Sequence, residues 1–141
     1  DTASLHTLVA AMIAAAPALH CLRDPTRGGL ATTLNEIARQ SGCGMRLVES
    51  AIPVRPEVAA ACEFLGLDPL YVANEGKLVA ICARADADRL LAAMRAHPQG
   101  RDAAIVGEVV EDAHHFVQMR TGFGGSRMVD WLAGEQLPRI C

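Results

Sequence analysis

The stretch DPTRGGLATTLNEIA, residues 24–38, leads from a glycine-containing loop directly into a segment with the apolar period of a helix. Its two adjacent glycines allow the backbone to approach a ligand closely, and the free N–H groups at a helix N-terminus favour an anion such as phosphate. Arg27 adds a forked pair of donors for the same anion. The alternative interpretation is an ordinary helix cap, in which Asp24 or Thr26 accepts hydrogen bonds from the first N–H groups.

Helices and strands alternate on both sides of this stretch. Apolar residues at helical spacing predict four helices, over residues 5–13, 30–38, 56–65 and 87–94. Strands are predicted over residues 45–49, 77–83, 104–110 and 116–120. Interleaved helices and strands of this kind indicate an α+β fold, here a layered α/β domain with a mixed sheet.

Three of the segments carry more specific expectations. The run KLVAICA over 77–83 is short, apolar and continuous, which favours a buried strand over a helix. The segment 20–29 is predicted to be a loop. Gly66 is expected to close the third helix. The apolar stripe of that helix consists of Val58, Ala61, Cys62 and Leu65.

Composition bounds the class of protein. With 141 residues, 51% apolar and 21% charged, the chain has the make-up of a water-soluble globular protein and the size of one domain. Only 4% of residues are aromatic and the net charge is −3, which argues against nucleic-acid binding. No apolar run approaches the roughly 20 residues of a membrane-spanning helix. Because the sequence starts inside a helical pattern without Met, we expect further sequence before it.

Five cysteines are spread along the chain without a CxxC pair. Their odd number and spacing favour neither a disulfide framework nor a zinc site, and no metal site is predicted. A reducing, cytoplasmic compartment is therefore expected. Cys62 lies on a predicted apolar stripe and Cys82 at the end of a predicted strand, so both are expected to be small core residues.

The tetrapeptide NEGK, residues 74–77, comes just before the predicted strand over 77–83. A carboxylate on a glycine-containing loop at the entrance of a strand can be held rigidly and partly desolvated, as a general base requires. Glu75 is that carboxylate. The alternative interpretation is a polar turn in which Glu75 and Lys77 are both solvated.

The sequence ends in GEQLPRIC, residues 134–141. A terminal thiol contributes little to packing and is a liability for solubility, which favours a role as a covalent attachment point on a flexible arm. Pro138 stiffens the approach to Cys141, and Arg139 could dock the arm on an acidic or phosphate site. The alternative is a frayed tail with an incidental thiol.

Other polar motifs carry weaker expectations. His114 and His115 are adjacent, so on a strand they would point to opposite faces and could not form one two-histidine site. The run GFGG, residues 122–125, resembles a phosphate loop only loosely, and a turn between two strands is the better interpretation.

DPTRGG followed by LATTLNEIA, then DPLYVANEGKLVAI, then the terminal LPRIC, together resemble the C-terminal domain of the HypE family of hydrogenase maturation factors. The resemblance implies the C-terminal-domain fold of the aminoimidazole-ribonucleotide synthetase (PurM-like) superfamily. It divides the chain into a PurM-like domain, residues 1–133, and a flexible tail with the terminal cysteine, residues 134–141. The family's N-terminal ATP-binding domain would lie outside this chain.

The resemblance also implies a reaction. The partner carbamoyltransferase HypF would place a carbamoyl group on the Cys141 sulfur, and ATP-dependent dehydration would convert it to a thiocyanate. The cyanide would pass to iron on the HypC–HypD scaffold for the [NiFe]-hydrogenase centre. Glu75 would be the base, and Lys77 would keep it ionised.

The remaining site residues and cofactors follow from the same resemblance. ATP and magnesium are expected mostly through the N-terminal domain, and a homodimer is expected for the longer protein. The implied contacts to the nucleotide are Asp24, Thr26, Arg27, Gly28, Gly29 and Lys77. The implied docking residues of the tail are Pro138, Arg139 and Ile140.

Two other functions stay open. The chain could be a non-catalytic module that binds partners or stabilises a dimer. It could also belong to another ATP-dependent synthetase of the superfamily, making a purine precursor or selenophosphate, although those reactions have no use for a terminal thiol. A Gly-rich, Asp-containing ATP domain upstream would favour the enzyme over the binding module.

Overall fold

A computed structural model describes residues 3–132, which form two compact units. Among these residues, unit 1 is drawn from Asp1–Asp24 and Glu75–Ile105, and unit 2 from Pro25–Asn74 and Val106–Cys141. The helices are α1 (His6–Ala15), α2 (Gly29–Ser41), α3 (Pro56–Leu65) and α4 (Ala87–Ala96). The strands are β1 (Cys21–Arg23), β2 (Gly44–Val48), β3 (Val79–Ile81), β4 (Gly107–Val110), β5 (Val117–Arg120) and β6 (Ser126–Met128).

Unit 1 combines two helices with a two-stranded sheet. β1 and β3 run antiparallel, with Leu22 opposite Ala80. α1 packs against α4. The buried residues of this unit are Leu8, Met12, Ala16 and Leu90. Cys82 is only partly buried against them, so its expected role as a small core residue is confirmed in part.

Unit 2 contains a four-stranded mixed sheet in the order β4-β2-β5-β6. β2 and β5 are parallel, whereas the other two pairs are antiparallel. α2 packs against β2 and β5. The buried residues include Ala31, Leu34, Ala38, Met45, Leu47, Val117, Met119 and Val129. Burial alternates along β2 and β5 with the period of two that a sheet covered on one face requires.

Much of the predicted secondary structure is confirmed. The mixed sheet is present, all four helices form, and Gly42 and Gly66 end α2 and α3 in the left-handed conformation. The run GFGG connects β5 to β6 as the expected turn, in which Thr121 N donates to Gly125 O at 2.8 Å and Gly124 has φ +87°. The β6 strand was not predicted.

Several predictions are wrong in part. The segment 20–29 is not loop throughout, because Cys21–Arg23 pairs with β3. The predicted strand over 77–83 is shorter and only half-buried, since its sheet has two strands. The expected stripe of α3 is mostly exposed, and Cys62 is its one buried member. The histidine pair lies in a turn before β5, where His115 has φ +58°.

Candidate functional site

The glycine loop, residues 24–29, requires glycine at two positions. Gly28 and Gly29 have φ values of +70° and +61°, a left-handed conformation that other residues adopt at a cost. A Cβ on Gly29 would lie 2.7 Å from the carbonyl oxygen of Val72 and closer still to that of Leu70. A Cβ on Gly28 would overlap the hydroxyl of Thr32. The close packing around Gly28 and Gly29 therefore leaves no room for a side chain at either position.

The N-cap position of α2 is Gly28, which has the left-handed conformation and no side chain with which to cap the helix. Asp24 has a polar interaction of its own, and capping by Asp24 or Thr26 stays the alternative interpretation. The first N–H groups of a helix lack partners inside the helix, and the helix dipole makes this end electropositive. An anion is the ligand that such an end favours.

One buried polar atom at this loop was not found from the sequence. The hydroxyl oxygen of Thr32, one turn into α2, is buried and has no hydrogen-bond partner among residues 3–132. It faces the Cα of Gly28. A buried hydroxyl without a partner is costly, so this atom fits a loop that accepts a ligand. The N-terminus of α2, the glycine pair and this hydroxyl together are chemically suited to an anion such as phosphate.

A short turn, residues 69–71, lies directly against the glycine loop. Asp68 caps it, with Oδ1 accepting from the N–H of Leu70 at 2.9 Å, and Arg127 Nη2 lies 2.6 Å from the other carboxylate oxygen. The Tyr71 hydroxyl donates to the carbonyl of Asp130 at 3.0 Å. Burial raises the pKa of Tyr71, and the Asp68 carboxylate raises it further. Sequence reasoning assigned no role to Asp68 or Arg127.

The bend over residues 74–77 is joined to the glycine loop through one of its ends. The N–H of Asn74 donates to the carbonyl of Pro25 at 3.1 Å, and both residues belong to unit 2. Glu75 follows as a half-buried residue of unit 1, and Gly76 has φ +71°. Lys77 is exposed and has a polar interaction of its own.

The two charged residues of the glycine loop are exposed. Asp24 lies 3.8 Å from the guanidinium of Arg23, a surface pair of small energetic weight. The Arg27 side chain forms no hydrogen bond or ion pair with any of residues 3–132. Its guanidinium is therefore available to a ligand.

The predicted tail residues lie outside the described part of the chain. These residues are Pro138, Arg139, Ile140 and Cys141. Of the cysteines that the structure describes, Cys62 is buried and Cys21, Cys43 and Cys82 are half-buried. Burial raises the pKa of the Cys82 thiol, and the nearby carboxylate of Asp86 adds to the effect.

Other kinds of site are not evident within residues 3–132. No three His, Cys, Asp or Glu side chains there are grouped as a metal would need. None of the helices in that range has the length and apolarity to cross a bilayer. An open groove of about 220 Å³ lies on unit 2 across β4, β2 and β5, lined in part by Arg46, Glu111 and Asp112. It contains no residue of the glycine loop.

The chain is similar to known proteins over its whole length. A family described as AIR synthase related protein, C-terminal domain, matches residues 1–120. Carbamoyl dehydratase HypE of Azotobacter vinelandii is 76% identical over 141 residues, which is 100% of this chain and 41% of that protein. Carbamoyl dehydratase HypE of Cupriavidus necator is 74% identical over 141 residues, 100% of this chain and 40% of that protein. The chain thus spans about two-fifths of the length of these curated relatives.

Solved structures are also similar to this chain. A crystal structure of the hydrogenase maturation protein HypE has a TM-score of 0.92 and 49% identity, covering 99% of this chain and 45% of that one. A structure of this type of protein in complex with ATP has a TM-score of 0.91 and 48% identity, covering 99% and 43%. A HypE–HypF complex has a TM-score of 0.89 and 42% identity, covering 94% and 43%. The expected PurM-like C-terminal-domain fold is confirmed.

Proposed function

The chain belongs to the AIR synthase related protein family as a C-terminal domain, and from that membership we propose that it is the C-terminal part of a HypE carbamoyl dehydratase. The proposed longer protein contains an N-terminal ATP-binding domain, and residues 134–141 form its cysteine tail. It dehydrates a carbamoyl group on Cys141 to a thiocyanate and donates cyanide for the iron centre of [NiFe]-hydrogenase. The observation that carries this proposal is the N-terminus of α2, which begins at two adjacent left-handed glycines.

The dehydration step of the proposed reaction balances without an oxidant or reductant. Release of cyanide from the thiocyanate, which returns the Cys141 thiolate, takes up two electrons that the receiving iron scaffold would supply. The Cys141 sulfur carries a carboxamide group, and the oxygen of that group attacks the γ-phosphorus of ATP. ADP leaves, and one proton leaves the carboxamide nitrogen. The carbon–oxygen bond then breaks, phosphate leaves with the former carboxamide oxygen, and the second proton leaves nitrogen as the C≡N bond forms. Phosphorylation makes the oxygen a leaving group, so what the protein must supply is phosphate binding and a base.

Residues of this chain supply both functions in the proposal. The glycine loop binds phosphate oxygens through Thr26, Gly28 and Gly29, and the Arg27 guanidinium adds a forked donor. Asp24 and Lys77 complete the nucleotide contacts. This assignment is supported by the exposed Arg27 side chain and by the unpartnered Thr32 hydroxyl beside Gly28.

Glu75 is the proposed base. It lies half-buried on a bend whose preceding residue, Asn74, is hydrogen-bonded to Pro25 of the glycine loop. A partly desolvated carboxylate on a held bend suits proton removal from nitrogen. The Cys141 carbamoyl group is brought to the base by a tail that docks through Pro138, Arg139 and Ile140.

The proposal extends to partners and compartment. HypF loads the carbamoyl group, and a related protein has been crystallised as a HypE–HypF complex. The HypC–HypD scaffold receives the cyanide, the longer protein is a homodimer, and it works in the cytoplasm. Magnesium accompanies ATP and is held mostly by the N-terminal domain.

The test uses two variants of the longer protein, incubated with HypF, carbamoyl phosphate and ATP and followed by intact-mass spectrometry. The Cys141→Ser protein should show no stable carbamoyl adduct and therefore no loss of water from one. Glu75→Gln should accept the carbamoyl group but dehydrate it about 10²- to 10⁴-fold more slowly, because the amide keeps the shape of the bend and removes the base.

Glu57→Gln is the matched control for Glu75→Gln. Glu57 is an exposed carboxylate in the first turn of α3, so its amide variant should form the thiocyanate at the wild-type rate. A normal rate with Glu75→Gln would exclude that residue as the base. Thiocyanate on the Cys141→Ser protein would overturn the whole proposal.

A further inference from the structure

The position of Gly29 is determined by the turn at residues 69–71. The carbonyl groups of Leu70 and Val72 lie so close to the Gly29 Cα that a Cβ there would be 2.7 Å or less from both oxygens. Because packed backbone has no free volume to absorb movement, a shift of the turn is transmitted to Gly29. Gly29 is the first residue of α2, so the first N–H groups of that helix move with it.

A single carboxylate joins this turn to the sheet. Asp68 uses Oδ1 to cap Leu70 N at 2.9 Å, and it uses Oδ2 to bind Arg127 of β6 at 2.6 Å. Both side chains are part-buried, with 28% of the Asp68 and 39% of the Arg127 side chain exposed. A charge-assisted contact of that length, in a carboxylate whose two oxygens both have partners, restricts the position of the Asp68 side chain more than a solvated surface pair would.

The strand that carries Arg127 is itself fixed. β6 pairs with β5 over three residues, and Arg127 stands opposite the buried Met119. After the strand, Val129 is buried and accepts a hydrogen bond from Asn35 of α2 at 2.8 Å. The ion pair therefore connects the turn beneath the glycine loop to a rigid part of unit 2.

We propose that the Arg127–Asp68 ion pair positions the glycine loop for nucleotide binding, acting through the 69–71 turn and Gly29. The pair touches no substrate in this account, so both are positioning residues. The inference rests on the proposed function in that the ligand of the loop is ATP. It adds a determinant of ATP affinity that lies outside the DPTRGG and NEGK motifs. The two residues of this pair are 59 positions apart in the sequence.

The test is Asp68→Asn in the longer protein. The asparagine Oδ1 can still cap Leu70 N, but it cannot serve Arg127 at the same time, so only the ion pair is lost. We expect the Kd and the KM for ATP to rise about fivefold, with kcat within about twofold, because the loop is displaced while the base and the thiol are untouched. Arg127→Ala should repeat this split, and Arg127→Lys, which keeps the charge, should restore most of the affinity.

Asp86→Asn is the matched control, because it breaks the 2.8 Å Arg89–Asp86 pair of unit 1 by the same isosteric change. It should leave ATP affinity unchanged. An Asp68→Asn protein that melts at the wild-type temperature and binds ATP with the wild-type Kd would overturn the inference. An Arg127→Lys protein as impaired as Arg127→Ala would do the same. ATP binding can be measured in the absence of dehydration. If the wild-type protein binds ATP but does not dehydrate the carbamoyl group, the proposed reaction is wrong, and the effect of the ion pair on ATP affinity can still be measured.

Discussion

Two helices of unit 2, α2 and α3, show how the same kind of sequence pattern leads to different outcomes. Each carries apolar residues at helical spacing and ends at a left-handed glycine. α2 lies on the sheet and buries Ala31, Leu34 and Ala38, among others, whereas Cys62 is the one buried residue of α3. Apolar periodicity therefore predicts that a helix forms. Whether the apolar side of that helix is buried depends on whether another element packs against it.

The two helices also begin differently. α3 begins at Pro56, which suits the first helical position because its missing N–H would be unpaired there in any case. α2 begins at Gly29 behind a second left-handed glycine. Gly29 packs against the carbonyl groups of Leu70 and Val72, and Gly28 packs against the side chain of Thr32. The start of α2 is therefore closely packed backbone, and it is this N-terminus that we propose for phosphate binding.

The largest expected effect comes from adding a methyl group at the start of α2. Gly29→Ala should lower the free energy of unfolding by about 4 kcal/mol, since left-handed strain adds to overlap with the Leu70 and Val72 carbonyls. Gly66→Ala has the same strain at φ +68° with nothing within 4 Å of the added Cβ, and should cost about 1 kcal/mol. Urea unfolding measures both. Equal losses would mean that close packing does not constrain the glycine loop.

Much of the secondary structure could be predicted because it rests on local signals. The helices follow from period and from end signals such as Pro56 and Gly66, and the strand at residues 45–49 follows from its short apolar run. The short strands β1 and β6 could not be predicted, since each has three residues and exists only through its partner. The exposure of α3 was missed for the same reason.

A smaller difference is expected between equivalent leucines of the two helices. Leu34 of α2 is 3% exposed and Leu65 of α3 is 63% exposed. Leu34→Ala should lower the free energy of unfolding by about 3 kcal/mol, because it removes buried methyl groups and leaves a cavity. Leu65→Ala should change it by less than about 0.5 kcal/mol. A large loss with Leu65→Ala in chemical unfolding would show that α3 packs against something in the folded protein.

The candidate site was only partly predictable. DPTRGG and NEGK are contiguous, and their glycines and charges are visible in the sequence. Asp68 and Arg127 are 59 residues apart and meet through the placement of β6, which no local pattern indicates. Thr32 reads as an ordinary residue of an amphipathic helix. Its lack of a partner can be seen only when the packing around Gly28 is known.

The smallest expected effect has the opposite sign and separates the start of α2 from an ordinary helix. Thr32→Val replaces a buried, unpartnered hydroxyl with a methyl group of the same shape, so the free energy of unfolding should rise by about 1 kcal/mol.

Thr33→Val is the control, because the neighbouring Thr33 is 2% exposed and already engaged in a polar interaction. That change should lower the free energy of unfolding by about 1 kcal/mol. In the longer protein, Thr32→Val should also weaken ATP binding in calorimetric titration, because the hydroxyl beside Gly28 would find its partner in the nucleotide. A gain in stability with unchanged ATP affinity would show that the hydroxyl is a defect of packing and no part of the site. A loss of stability would show that it already has a partner in the folded protein.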